Sequence, residues 1–227
     1  MSRRAVLVFA DAVERDLARR AFPRAARPLL DLRASTGLSL GTDVHLFTSA
    51  GRVATFSEQI HRQSGHDFAS RLENAVEKIH ALGYDAVVVI GRDCPSLRAM
   101  DIERAFVELA SKKLVLGPDR RGGCYLIAFR SEDRALLRDV RWNQNTDCAQ
   151  LRARCVATDV LLLVAKHDID SWSDVRIFAR TGDALARLAS FLLKVICGPH
   201  LRIAHIVSFA SQRIRVRQQM PPPAFAA

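Results

Sequence analysis

The sequence predicts an α/β fold, a three-layer α/β/α sandwich around a mostly parallel sheet, with a helical extension at the carboxyl end. Continuous apolar runs such as residues 5–10 and 86–90 are typical of strands that helices cover on both faces. These runs alternate with stretches whose apolar residues recur at helical spacing, which implies right-handed crossovers between parallel strands. The 227 residues, 49% of them hydrophobic, are enough for one sizeable domain and hardly enough for two.

The first elements of the sheet are predicted within the first 56 residues. Residues 5–10 are wholly apolar and predict a strand buried on both faces. Helical spacing of apolar residues follows from 11 to 32, interrupted near Phe22-Pro23 because proline lacks an amide hydrogen. Residues 44–48 and 52–56 flank a turn, and we expect the first strand inside the sheet and the second at an edge.

The remaining elements alternate between helix and strand. Phe68, Leu72, Val76 and Ile79 are spaced for a helix from 67 to 82, which should end at Gly83. The later predictions are a strand at 85–90, a helix at 100–110, strands at 113–116, 124–129 and 160–164, and a helix that begins near Trp172.

Charge and composition limit the classes of partner. The formal net charge is +10 and nearly all of the excess is arginine, so the surface should attract phosphate-bearing ligands. The arginines are scattered without dense basic blocks, so we expect no nucleic-acid partner. No apolar stretch is long enough to span a bilayer, so we expect no integral membrane protein. Five cysteines without a secretory leader or a CxxC pair predict reduced thiols in the cytoplasm and no structural zinc.

Two segments predict a site at one edge of the sheet. The strand at 85–90 runs into Gly-Arg-Asp-Cys-Pro at 91–95, which places the carboxylate of Asp93 at the end of a buried strand. The segment 114–129 is built around a glycine-rich loop that ends in Gly122-Gly123. We therefore expect a carboxylate opposite a glycine-rich loop.

A third segment adds acidic residues after the last predicted strand. Asp168, Asp170 and Asp174 could form a ligand cluster for a metal ion. The alternative is structural, because Asp170 or Ser171 could cap the helix that begins near Trp172.

These segments together resemble the successive motifs of the DUF2064 proteins. The resemblance rests on Val-Val-Val-Ile-Gly-Arg-Asp-Cys-Pro-Ser-Leu at 87–97, on residues 114–129, and on Asp168-Ile-Asp170 with Asp174, and it covers about residues 5–178. DUF2064 proteins are bacterial members of the GT-A nucleotide-diphospho-sugar transferase superfamily, related to nucleotidyltransferases such as phospholactate guanylyltransferase. The resemblance implies a Rossmann-like, GT-A-like domain at 1–180. Outside it, residues 181–227 predict a helical extension and a disordered proline-rich tail.

The resemblance also implies an activity. It indicates a transferase that moves a glycosyl or nucleotidyl group from a nucleotide or nucleotide-sugar donor to a small-molecule acceptor, with Mg²⁺ or Mn²⁺ at the diphosphate. Asp93 would be catalytic and a metal ligand, and Asp170 would be the second metal ligand. The implied substrate-binding residues are Gly122, Gly123, Arg92, Trp142 and Asn145, and the implied donor-binding residues are Arg19, Arg20 and Arg71. Gly122 and Gly123 would let the backbone pass close to the acceptor.

Each of these assignments has a structural alternative. Asp93 could cap the turn into the next helix, and Gly122-Gly123 could be a plain hairpin turn. Cys94 and Cys124 are more typical of small packing residues than of nucleophiles.

One segment departs from the family pattern and supports a second function. The donor-binding loop of the family is replaced by residues 11–20, which contain no glycine and add three carboxylates. A helix that presents side chains is a poorer phosphate cradle than a loop that presents amides. The alternative is therefore a catalytically degenerate GT-A-like binding or assembly module.

The carboxyl-terminal segment lies outside the resemblance. Residues 182–197 predict an amphipathic helix and 201–209 a further apolar segment. These could pack on the core, form a homodimer contact, or lie on an anionic membrane surface.

Overall fold

The described part of the chain forms one seven-stranded sheet with helices on both faces. The computed structural model describes residues 2–30, 42–49, 59–181 and 184–196. The strands are β1 (Arg4–Phe9), β2 (Asp43–Thr48), β3 (Gln59–Arg62), β4 (Ala86–Ile90), β5 (Leu114–Pro118), β6 (Cys124–Arg130) and β7 (Val160–Leu162). The α-helices are α1 (Val13–Arg19), α2 (Phe68–Ala81), α3 (Ala99–Glu108), α4 (Asp147–Arg152), α5 (Trp172–Phe178) and α6 (Ala184–Ile196). Short 3₁₀ helices span Arg24–Leu30, Ser131–Leu137 and Ala157–Asp159.

The strand order is β3-β2-β1-β4-β6-β5-β7, and the sheet is mostly parallel, as the sequence predicts. β1 runs parallel to β2 and β4, β2 to β3, and β5 to β7. β6 is antiparallel to both of its neighbours, with Ala128 opposite Val88 of β4 and Val115 of β5. The apolar run at 124–129 is thus a strand. Its direction does not follow from its residues, because a fully buried strand has the same continuous apolar pattern whether it is parallel or antiparallel to its neighbours.

The predicted elements up to residue 178 agree with the structure where the chain is described. The strand predicted at 52–56 lies outside the described residues. Beside β2, the described edge strand is instead β3, Gln-Ile-His-Arg. It carries one aliphatic residue and therefore lacks the apolar pattern of a strand.

Helices cover both faces of the central strands, which explains their uninterrupted apolar runs. Val6 and Val8 face α3, whereas Ala5 and Leu7 face α2, because successive side chains of a strand alternate between faces. The α3 side is completed by Ile102, Phe106 and Leu109, and the α2 side by Leu72, Val76 and Ile79.

A third apolar cluster joins both ends of the described chain. It is formed by α1, the 3₁₀ helix Arg24–Leu30, α5 and α6, with the buried residues Leu17, Phe22, Leu29, Ile169, Val175, Phe178, Ala186, Ala189 and Leu192. α6 therefore packs on the core, which is one of the three arrangements that the sequence leaves open. Among the described helices, none is long and apolar enough to cross a membrane.

Candidate functional site

A cleft of about 550 Å³ lies at the carboxyl ends of β1 and β4. This is the edge at which open α/β sheets bind ligands. The antiparallel direction of β6 adds the glycine-rich loop to the same edge, because Leu126 near the start of β6 lies opposite Ile90 at the end of β4. Residues that the sequence places in separate motifs therefore line one cleft: Arg19, Arg20, Arg71, Arg92, Asp93, Gly123, Trp142, Asn145, Asp168 and Asp170.

Asp93 lies directly beyond β4 and does not cap the next helix. Its Oδ2 accepts a hydrogen bond from Nη2 of Arg20 at 2.8 Å, and its backbone carbonyl accepts one from the amide of Ile169 at 2.7 Å. α3 begins at Ala99, well beyond Asp93. Burial raises the pKa of Asp93, Arg20 opposes this increase, and the charge of Asp170 adds to it.

Asp170 lies beside Asp93 and faces two arginines. Its Oδ1 accepts from Nη2 of Arg20 at 3.0 Å, and its Oδ2 pairs with Nη2 of Arg121. Asp93 and Asp170 thus share one guanidinium nitrogen. The two carboxylates that the sequence predicts as partners lie together at the cleft.

The other two acidic residues of this segment have different surroundings. Asp168 lies beside Cys94, and burial raises the pKa of Asp168 to about 8, with the charges of Asp93 and Asp119 adding to the increase. Asp174 belongs to the helix cap, because its Oδ2 accepts from the amide and hydroxyl of Ser171, both at 2.8 Å. The capping alternative therefore describes Ser171 and Asp174, whereas Asp170 faces the cleft.

Arg20 is enclosed at the meeting point of three segments. Its side chain is 4% exposed, its Nε donates to the carbonyl of Ile169 at 2.9 Å, and its Nη1 forms an ion pair with Oδ1 of Asp16 at 3.1 Å. The sequence assigns Arg20 to the donor phosphates, but the structure directs its charge to carboxylates. Asp16, buried one turn earlier, was not predicted, although its i, i+4 spacing to Arg20 is a recognisable signal for an ion pair.

The paired carboxylates of Asp93 and Asp170 are the candidate site for a divalent ion. Their oxygens are the ligands that Mg²⁺ and Mn²⁺ prefer, but the point toward which Asp93 and Asp170 converge holds Nη2 of Arg20. Within residues 2–30, 42–49, 59–181 and 184–196, no group of three or more His, Cys, Asp or Glu side chains is arranged to hold a metal. The acid pair, as arranged in this chain, does not fit a divalent ion.

The glycine-rich loop is a hairpin connection between β5 and β6, as the structural alternative predicts. The carboxylate of Asp119 closes it by accepting from the amides of Arg121 at 2.6 Å and Gly123 at 2.9 Å. Gly122 has a φ of +104°, and a Cβ there would overlap the backbone carbonyl of Asn145. The room at Gly122 is therefore taken by the neighbouring loop, which corrects the expectation that this glycine admits an acceptor; Gly123 does face the cleft.

The remaining predicted residues form the walls. Arg92 is buried, and Arg71 donates from Nε to the carbonyl of Asp67 at 3.0 Å. Trp142 and Asn145 line the cleft, and Phe68 of α2 packs against Trp142 with the ring centroids 5.9 Å apart. Phe68 reaches the cleft from the first turn of α2, and its predicted role was packing alone.

A pair of thiols lies at the cleft wall. A hydrogen bond from Cys124 lowers the pKa of Cys148 to about 7, whereas the pKa of Cys124 itself is raised. Burial raises the pKa of Cys94, in agreement with its predicted packing role. The pairing of Cys124 with Cys148 was not predicted, because the two are brought together by the contact between the hairpin and α4.

Sequence comparison identifies a family for the central part of the chain. The model of DUF2064, described as "Uncharacterized protein conserved in bacteria", matches residues 34–144. No protein among curated sequences is similar enough to count as a match.

Solved structures give the fold. A protein from Desulfovibrio desulfuricans G20, provisionally described as a nucleotide-diphospho-sugar transferase, is 22% identical with a TM-score of 0.68, over 91% of this chain and 96% of that one. Rv0371c of Mycobacterium tuberculosis H37Rv, solved as a complex with manganese, is 15% identical with a TM-score of 0.53, over 78% and 97%. The CMP:2-keto-3-deoxy-manno-octonic acid synthetase complexed with CTP is 11% identical with a TM-score of 0.52, over 85% and 99%. The central part of the chain therefore matches the DUF2064 family model, and the chain shares its fold with these solved structures.

Proposed function

We propose that the protein is a GT-A-like transferase that moves a glycosyl or nucleotidyl group from a nucleotide donor to a small-molecule acceptor. The observation that carries this proposal is the convergence of Asp93 and Asp170 in a cleft at the carboxyl ends of β1 and β4. The nucleotide chemistry named for proteins of similar fold, a nucleotide-diphospho-sugar transferase and a CTP-bound synthetase, supports the choice of donor.

The donor phosphates are assigned to the arginines that are open to the cleft. The side chain of Arg19 is 66% exposed, and both Arg19 and Arg71 line the cleft. Both carry the charge that a diphosphate needs. Arg20, whose donors are directed to carboxylates and to the carbonyl of Ile169, is left out of this assignment.

The acceptor is assigned to the side of the cleft that holds Gly123, Trp142 and Asn145. Asp93 borders this side, and its raised pKa suits a group that accepts the proton of an acceptor hydroxyl as the new bond forms. Manganese is named for one protein of similar fold, Rv0371c. The Mg²⁺ or Mn²⁺ that the resemblance implies is nevertheless left out of this assignment, because Nη2 of Arg20 lies between the two carboxylates.

Calorimetric titration and product analysis test the proposal. Full-length protein is titrated with nucleoside diphosphates, triphosphates and nucleotide-sugars, with Mn²⁺ present and with EDTA, and each donor that binds is incubated with a panel of acceptors. We expect one class of donor to bind, and Asp93→Asn to lower product formation about 10²–10⁴-fold. Glu103→Gln on the exposed face of α3 is the matched control and should retain wild-type activity. Absence of binding by every donor would contradict the proposal.

The second candidate is a nucleotide-binding module without transferase activity. The specific observation in its favour is that residues 13–19 form a helix, with Asp16 among the residues that line the cleft, where the resemblance implies a glycine-containing loop. This candidate predicts donor binding with no product for any acceptor, and equal donor affinity in wild type and Asp93→Asn. Detection of product with any donor rules it out.

A further inference from the structure

Arg20 occupies the place between the two carboxylates where a bridging cation would bind. Its Nη2 lies 2.8 Å from Oδ2 of Asp93 and 3.0 Å from Oδ1 of Asp170. One nitrogen thus donates to an oxygen of each carboxylate. A single ion shared by the two carboxylates would need the same arrangement of oxygens. The cation in that arrangement is a side chain of the protein.

The guanidinium is built into the fold. It is anchored by Asp16 within α1 and by the carbonyl of Ile169 in the segment that follows β7. The side chain is 4% exposed, and that of Asp16 is 5% exposed. By contrast Arg19, the preceding residue, has a 66% exposed side chain and pairs with Asp16. Arg20 is therefore fixed from several sides, whereas Arg19 projects into the cleft.

A divalent ion would have to displace this arrangement. Expelling Arg20 would leave Asp16 without its buried partner and the carbonyl of Ile169 without its donor, and buried groups that lose their partners are destabilising. A second arginine, Arg121, pairs with the other oxygen of Asp170, so an added divalent ion would also be repelled by that charge. The neutralisation that a metal would supply to the acid pair is supplied by arginine.

We propose that Arg20 takes the place of the divalent ion in this chain, so that Asp93 and Asp170 do not bind metal and the cleft takes its nucleotide ligand without one. The inference deepens the proposed function, on which its statement about the nucleotide rests. The statement about metal rests on the contacts of Arg20 and Arg121 and does not depend on the nucleotide. It also implies that removal of the guanidinium creates a metal site from the carboxylates that it leaves behind.

Manganese binding tests this directly. Full-length wild type, Arg20→Met, Arg20→Met/Asp93→Asn and the neighbouring control Arg19→Met are titrated with Mn²⁺, and free Mn²⁺ is measured by electron paramagnetic resonance. We expect no site at the acid pair in wild type and in Arg19→Met. Arg20→Met should gain a site that binds Mn²⁺ at least about tenfold more tightly than any residual binding to wild type, since it exposes uncompensated carboxylates. The double variant should lose this site.

Two outcomes overturn the proposal. The first is a Mn²⁺ site in wild type that Asp93→Asn removes, and the second is a folded Arg20→Met that gains no site. Circular dichroism checks folding. If Arg20→Met does not fold, it is replaced by Arg20→Gln, which keeps hydrogen-bond donors without the charge.

Titration of cytidine and uridine diphosphates in EDTA is a separate experiment. Failure of these nucleotides to bind, with or without Mn²⁺, counts against the proposed function and leaves the manganese result intact.

Discussion

His45 lies in a chain of hydrogen bonds that links β2 to β3 and to the segment before β4. Tyr84 donates to Oδ2 of Asp43 at 2.7 Å, and the Tyr84 oxygen lies 3.0 Å from Nε2 of His45. Nδ1 of His45 lies 2.9 Å from Nε2 of His61. Since Tyr84 donates to the carboxylate, the consistent assignment is that Nε2 of each ring carries the proton and that Nδ1 of His45 accepts. Burial lowers the pKa of His45 to about 4, and the charge of His61 adds to the decrease.

This network predicts a loss of stability in mild acid. The fold holds His45 neutral, so its contribution is fully present above the unfolded pKa of 6.5 and is lost as the pH falls from 6.5 towards 4. The loss should reach about 3 kcal/mol in the free energy of unfolding. Urea unfolding of wild type and His45→Gln between pH 4 and 7 measures it, and the variant should lack this part of the pH dependence.

The exposed His66 provides the control. His66→Gln should follow the wild-type pH dependence. Equal slopes in wild type and His45→Gln would mean that His45 does not titrate in this range.

Gly122 predicts a local cost for any side chain. Its φ of +104° and the overlap of a Cβ with the carbonyl of Asn145 both oppose alanine. Gly122→Ala should lower the free energy of unfolding by about 2–3 kcal/mol. Gly83→Ala isolates the backbone term, because Gly83 has a φ of +78° but only the end of the Arg3 side chain nearby, and it should cost about 1 kcal/mol. Equal costs in urea unfolding would show that the contact with Asn145 adds nothing.

The sequence predicted part of this site. Asp93 could be found because it follows an apolar strand. Asp170 could be found because it lies in a segment that resembles a family motif. The position of Arg20 between them could not, because it depends on how α1 packs against α5 and α6. That packing is set by side chains more than 150 residues apart, such as Leu17 and Phe178, and no local pattern reports it.

Among the helices and strands, those with strong local signals were predicted within a few residues. α2 combines helical apolar spacing with a glycine at its end, and the predicted and observed ranges agree closely. β3 and the direction of β6 were not predicted. Their pairing depends on the position that the other strands leave open in the sheet. Their own residues therefore contain little information about it.

The first turn of α5 predicts the cost of losing its cap. Oδ2 of Asp174 accepts from the amides of Asp170 at 3.1 Å and Ser171 at 2.8 Å. Asp174→Ala should therefore lower the free energy of unfolding by about 1–2 kcal/mol and loosen the segment that carries Asp170. Urea unfolding measures the first effect. Ser111→Ala, at an exposed position, should stay within about 0.5 kcal/mol of wild type. A similar result for Asp174→Ala would show that the Asp174 hydrogen bonds do not stabilise the fold.

At the scale of the whole molecule, the position of Arg20 depends on the third apolar cluster, which packs α1 against α5 and α6. Leu192 of α6 is 2% exposed and packs in it, whereas the adjacent Phe191 is 59% exposed. Leu192→Ala should lower the free energy of unfolding by about 2–5 kcal/mol, and Phe191→Ala should change it by about 0.5 kcal/mol or less. Thermal or urea unfolding compares the two. A larger loss for Phe191→Ala would indicate that α6 is covered by a partner in solution.

The pairing of β1 with β4 also bears on how the chain acquires its structure. Arg4 and Ala86 are neighbours in the sheet although the whole amino-terminal part of the chain separates them. Closing such long loops slows folding, and during synthesis β1 has no partner on this side until β4 has left the ribosome. The β1 edge is then an open template for wrong pairing. A chaperone that shields this edge during translation would therefore be expected to raise the yield of native protein.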